Sequence, residues 1–215
     1  MAVYFWIGTE STTPAGEWDA ASNWSTTEGG SAGSSSPSSG DIAIVPASAT
    51  YNITYIGLTA QVDMYIQLGS YGILPESNDG GILTCNLAVF KNNGSVLSGN
   101  VYINGTCVFM GGAVNYGMID GASMFIGSTN GGGGFIGGDC LLTASQNSGQ
   151  IVGNCQFVNS SDNTGTVVGT ATFNGYDASG STNTGIVGGL ELKLPENYIS
   201  PGYTVRPLDV LGAGI

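Results

Sequence analysis

Along the middle of the chain, apolar or small residues return at every second position for a few residues and then stop at glycine and asparagine. Cys140 and Leu142, Cys155 and Phe157, and Ala171 and Phe173 are such pairs. Period two is the signature of a strand with one buried face. The pairs belong to a longer repeat between about residues 93 and 190. Asn147, Gly149, Gly153, Cys155 and Phe157 return as Asn163, Gly165, Gly169, Ala171 and Phe173, and Asn115, Gly117, Gly121, Ser123 and Phe125 keep the same offsets. The spacing between units varies, which suits stacked coils whose turns tolerate insertions. The expected fold is all-β, a β-solenoid with one strand of each layer pointing its ladder inward. Layers about 4.8 Å apart would place Phe125, Leu142, Phe157 and Phe173 in one column and Ser123, Cys140, Cys155 and Ala171 in a thinner one beside it. Each large apolar residue so buried contributes roughly 1.5 to 3 kcal/mol. The repeated glycines and asparagines are expected at corners, where positive φ is needed.

Outside the repeat the texture changes. Residues 1–45 carry all three tryptophans, as W-x-G (Trp6, Gly8), G-x-W-D (Gly16, Trp18, Asp19) and N-W-S (Asn23, Trp24, Ser25). A Ser/Gly loop follows from Ser25 to Gly40, then a strand at Ile42 to Val45. This block is read as a cap for the open end of the solenoid, or as a small attachment element. Residues 46–192 form the solenoid body, with further strands at Ile53 to Ile56 and an alternation through Ile82, Thr84, Asn86 and Ala88. From residue 193 to 215 the rhythm stops, and Pro195, Pro201 and Pro207 break any ladder, so an extended arm is expected. Its apolar end needs something to hold it, and a neighbouring subunit could do so.

Charge narrows the partners. Fifteen acidic residues against three basic ones give a net charge of −12, which excludes electrostatic capture of nucleic acid or of an anionic membrane. No apolar run reaches transmembrane length, and the start, Met1 to Glu10, has no signal-peptide character. Folding in a cytoplasm is therefore expected. There Cys85, Cys107, Cys140 and Cys155 stay reduced, as buried thiols rather than as a stacked Cys140–Cys155 disulfide.

Histidine is absent, which removes histidine-activated nucleophiles and the commonest metal ligand. Gly29, Ser31 and Gly33 match a nucleophile elbow but lie in the low-complexity loop with no base nearby. Gly132, Gly134 and Gly137 match a dinucleotide fingerprint with no helix after it, so they read as a turn. A carboxylate pair cleaving a glycosidic bond is the remaining catalytic candidate, from Asp120, Asp139, Asp162 and Asp177. Their spacings are out of phase with the repeat, so turn formation and solubility explain them more simply. The expectation is no enzyme, no cofactor and no metal. The tryptophans with Tyr51, Tyr55, Tyr65 and Tyr71 could line a sugar-binding face, but core and cap are the simpler roles.

The tryptophan frame, Pro37 and Asp41, followed by N-x-G layers, resembles glycine-rich β-helix proteins of bacterial surfaces and tailed-phage particles. The closing Asp209, Val210, Leu211, Gly212, Ala213 and Gly214 is similar to the ends of some phage virion proteins. With no secretion signal or anchor in view, the resemblance implies a virion structural protein assembled in the host cytoplasm. The expected role is a homotrimeric capsid decoration or cement protein that bridges subunits of the major capsid protein. Contact surfaces are expected around Trp6, Trp18 and Trp24 and around Tyr203, Leu208, Val210, Leu211 and Ile215. The alternatives are a tail fibre or spike adhesin binding a host glycan, a polysaccharide depolymerase, and a bacterial surface adhesin.

Overall fold

The computed structural model describes residues 1–8, 16–54, 60–73, 81–92, 96–97, 101–174 and 180–194. These residues form a β-solenoid of about seven turns. The Tyr203 to Ile215 segment, Asp177 and Tyr55 lie outside the described residues.

One complete turn shows the plan. Ser123–Ile126 lies in the long sheet, Thr129–Asn130 in a second face, Phe135–Ile136 in a third, and Cys140–Thr143 returns to the long sheet one level on. Each strand pairs in parallel with its counterparts in the turns before and after. Consecutive residues of one chain thus make each layer. In the first half of the molecule the third-face and long-sheet strands run together as Ala60–Gln67, Gly81–Lys91 and Val101–Met110. The long sheet continues without a break into the N-terminal block, through Ile42–Val45 and Val3–Trp6. The alternation expected through Ile82 and Ala88 changes phase on the way. The register shifts between Thr84 and Leu87, so Leu83, Cys85 and Ala88 point inward while Ile82 and Thr84 point outward. A bulge of this kind lets a continuous strand turn a corner.

Inside, both expected columns are present. Phe125, Leu142, Phe157 and Phe173 are in register, as are Ser123, Cys140, Cys155 and Ala171. The rings stack: Phe90 on Phe109 at 4.6 Å, Phe109 on Phe125 at 4.7 Å, Phe157 on Phe173 at 4.5 Å, each pair within 13° of parallel. A third column, Ile119, Ile136, Ile151 and Val167, closes the core from the third face. Offset-stacked aromatic pairs add about 0.5 to 1.5 kcal/mol each beyond their buried area.

The second face is filled by asparagine. Asn115, Asn130, Asn147 and Asn163 are fully buried. Each donates its Nδ2 to the Oδ1 of the next: 2.8 Å to Asn130, 2.7 Å to Asn147, 2.7 Å to Asn163 and 2.8 Å to Asn183. Buried amides are tolerable only when satisfied, and a ladder satisfies them in series. Beside it runs a serine column in which the backbone N–H groups of Ser128, Ser145 and Ser161 each donate to the hydroxyl one turn on, at 3.1 Å.

The repeated asparagines and glycines are thus not positive-φ corner residues, contrary to the sequence expectation. None of Gly117, Gly121, Gly149, Gly153, Gly165 and Gly169 has positive φ. They are glycine because the neighbouring turn is too close. A Cβ at Gly121, Gly153 or Gly169 would sit 2.1, 2.4 or 2.5 Å from the backbone of the turn before. Left-handed conformations occur at a different corner, after the long-sheet strand, at Gly127 (φ 56°), Ala144 (φ 48°) and Asn159 (φ 52°). Ala144 is exposed there, and left-handed backbone costs a β-carbon residue about 1 to 2 kcal/mol. Ala144→Gly is expected to raise stability by about 0.5 to 1 kcal/mol, read as a higher midpoint in urea.

Both ends of the described solenoid are finished. At the start, Trp24–Ser25 pairs antiparallel with Val3–Trp6. Trp6, Trp18 and Trp24 pack edge to face, with centroids 5.1 and 4.9 Å apart, and Trp18 leads through Tyr65 to the phenylalanine stack. The indole nitrogens of Trp6 and Trp24 donate to the carbonyls of Tyr51 and Trp18. The W-x-G spacing has a reason: a Cβ at Gly8 would meet the Trp6 ring at 2.3 Å. Asp41 pins the chain start, accepting from the Ala2 N–H at 2.8 Å and from Ser38, and the Ala2 bond lowers its carboxyl pKa. At the other end, in Glu191–Leu194, the two inward columns finish in charge. Glu191 follows Ala171, Lys193 follows Phe173, and the pair meets at 3.4 Å.

Candidate functional site

Outward positions of the long sheet form an apolar column. Phe5, Ile44, Ile66, Val89, Val108, Met124 and Leu141 follow one another in register. A second outward column beside it begins Val3, Ile42, Met64 and Leu87. These side chains are half-buried by their neighbours, Val3 remaining 37% exposed, and Ile126 beside Met124 is 40% exposed. Past Leu141 the main column turns polar, to Gln156 and Thr172, before Leu192 on the last described turn.

The third face changes at the same level. Its outward column is Tyr102, Met118 and Phe135, then Gln150 and Thr166, then Ile186. A shallow, open groove of about 430 Å³ lies along it, walled by Met118 and Phe135 and floored by glycines of neighbouring turns. The floor includes the turn at Gly132 and Gly133, closed by the Gly134 N–H donating to the Gly131 carbonyl at 2.8 Å. The fingerprint-like glycines therefore make a turn between two strands.

Carboxylates avoid the apolar face. Asp63 lies where Ala60–Gln67 passes from the third face to the long sheet, Asp120 and Asp139 lie at the same corner three and four turns further along, and Asp162 belongs to the asparagine face. None occupies an outward long-sheet position between Val3 and Leu141. Asp139 accepts the Asn154 backbone N–H at 2.8 Å, and Asp162 accepts the Thr182 hydroxyl. Asp162 is therefore on a different face from Asp120 and Asp139, and each of the two bonded acids ties one turn to the next. Among the described residues no helix is long and apolar enough to cross a membrane.

Of the residues expected to make contacts, Trp6, Trp18 and Trp24 are 0 to 1% exposed. Their rings are covered by this chain and build the aromatic cluster at its N-terminal end. Tyr203, Leu208, Val210, Leu211 and Ile215 fall outside the described residues. Tyr65 is also buried, its hydroxyl donating to Gln67.

The four cysteines are free and buried. Burial pushes the Cys85 thiol up to about 12 and raises Cys107 and Cys155 well above the ordinary thiol range; the Cys140 neighbour adds to the effect at Cys155. Unfolded thiols ionise near 8.5. The native state holds its protons longer, so the stabilisation is intact below about pH 8.5 and is lost as pH rises from there toward 12. The urea midpoint is expected to fall between pH 8 and pH 10. Thiol reagents should label the protein only once it is denatured.

The outer columns had a sequence signal that pattern reading for one buried face passes over. Ile42–Val45 reads IAIV, Val101–Met110 ends CVFM and Cys140–Thr143 begins CLL, continuous apolar runs. Cys155–Val158 (CQFV) and Ala171–Asn174 (ATFN) place Gln156 or Thr172 at the outward position between two inward residues. Continuous runs belong to strands covered on both sides. Comparison with protein-family models, with curated proteins and with solved structures finds no match for the chain.

Proposed function

We propose that the chain is a non-enzymatic structural protein of a bacteriophage virion, a capsid decoration protein that stabilises the head by lateral contacts with the major capsid protein and with copies of itself. The observation that carries this reading is the apolar, carboxylate-free outer face of the long sheet. A rigid rod with such a face is suited to burying its side in an assembly. The particle itself comes from the resemblance of the tryptophan frame and the closing residues to phage virion proteins. Three copies would match the local threefold positions of an icosahedral shell.

A second reading is favoured by one feature, the groove between Met118, Phe135 and the glycine turns. An apolar wall beside polar Gln150 and Thr166 is compatible with a sugar, as in a tail adhesin that binds a host glycan. Copy number separates the two. Quantitative mass spectrometry of purified particles, with heads and tails separated, should find hundreds of copies in the head fraction. A few copies confined to tails would reject the decoration role and make glycan arrays the next measurement.

A further inference from the structure

We propose that the outer face of the long sheet, from Val3 to Leu141, is where copies of this chain pack side by side, and that the turns carrying Gln156 and Thr172 stand clear of that contact. The proposal rests on reading the chain as an assembly protein and says which surface assembles. Three observations select a second copy as the occupant.

The first is charge. Copies of a chain with net charge −12 repel one another unless they meet on a face free of carboxylates. This face is free of them from Val3 to Leu141, while Asp63, Asp120 and Asp139 sit at the corner and Asp162 on the asparagine face. A cationic partner would be drawn to those acids instead, away from the apolar column.

The second is size. Seven strands at about 4.8 Å give a stripe about 29 Å long, and two to three side-chain columns make it roughly 10 to 14 Å wide. The resulting area, about 300 to 400 Å², is near half of what one partner buries in a standard interface, leaving the remainder for a polar rim. Thr106 and Thr143 supply rim positions.

The third is the coincidence of level. The outward columns of two faces turn polar between the same turns, Leu141 to Gln156 and Phe135 to Gln150. The inward columns show no such change there, since Leu142 and Ile136 are followed by Phe157 and Ile151. Folding alone does not require the outer switch. An assembly that covers the long-sheet column up to that level accounts for it.

The test uses the full chain in solution. Sedimentation equilibrium is expected to show a dimer or trimer of the 21.7 kDa chain. Val108→Lys and Met124→Lys should return it to the monomer mass, with the far-ultraviolet spectrum unchanged, and Gln156→Lys and Thr172→Lys should leave the oligomer intact. Peroxide footprinting of the unaltered protein keeps the question open to decision even where the lysine variants misfold. Oxidation of Met64 and Met124 should slow as protein concentration rises. A monomer whose Met64 and Met124 rates ignore concentration would overturn the proposal. Slow rates in that monomer would assign the face to residues 195–215 of the same chain, and fast rates to a foreign protein. An oligomer unaffected by V108K and M124K would overturn it equally. None of these outcomes bears on head or tail location, which the particle measurement decides separately.

Discussion

Gly153→Ala is expected to lower stability by about 3 kcal/mol or more, a fall in Tm of roughly 6 to 12 °C for a chain of this size. The added methyl would lie 2.4 Å from the carbonyl carbon and oxygen of Gly138 and 2.7 Å from the Asp139 nitrogen. All three are backbone atoms, and Gly138 already rests on the Gly121 carbonyl group, with its own Cβ position 2.6 Å away. The strain therefore has no flexible side chain to move and is passed along the stack. Gly127→Ala is the control. Its φ is 56° and nothing lies within 4 Å of its Cβ position, so only left-handed strain of about 1 kcal/mol is added. Thermal unfolding of the two variants separates the roles of the glycines. Equal losses would reject close approach of neighbouring turns as the reason for the repeated ones.

Asn147→Ala should cost about 2 to 6 kcal/mol. It removes the acceptor from Asn130 Nδ2 and the donor to Asn163 Oδ1 at a level with no exposure, and each buried group so orphaned costs about 1 to 3 kcal/mol. A total stability of about 5 to 15 kcal/mol leaves little after the larger figure. Asn183→Ala, at the half-buried end of the ladder, should cost about 1 kcal/mol, because water can replace the lost partner. Urea unfolding gives both values. A loss at Asn147 no larger than at Asn183 would mean that the ladder contributes register without stability.

The inward columns were legible because their signal is local. Cys155 and Phe157 are two residues apart, and their return as Ala171 and Phe173 fixes both strand and stacking. The asparagines were legible as a repeat but not in role. Asn147 and its equivalents look like turn residues until the neighbouring turns are placed, because their partners are one turn away in sequence and directly above and below in space. The glycines were misjudged for the same reason: Gly153 is defined by Gly138, not by its own φ. The tryptophan block reads from sequence as a cap or an attachment element, and the buried indoles of Trp6, Trp18 and Trp24 form an aromatic cluster at that end of the core. The outer face was missed because period two directs attention to one side of a strand. Its signal lay in the strands where alternation fails, and that failure depends on what covers the face from outside.

Every bond of the asparagine ladder joins like to like, and up to Ala171 and Phe173 the inward columns stack small on small and large apolar on large apolar. Removing residues 147–162 would bring Asn163 onto Asn130, Ala171 onto Cys140 and Phe173 onto Leu142, the same kinds of neighbours that Asn147, Cys155 and Phe157 have now. The rod is therefore a ruler graduated in single turns. Its height can change in steps of about 4.8 Å by gain or loss of one repeat, with the tryptophan cap at one end and the Glu191–Lys193 pair at the other left as they are.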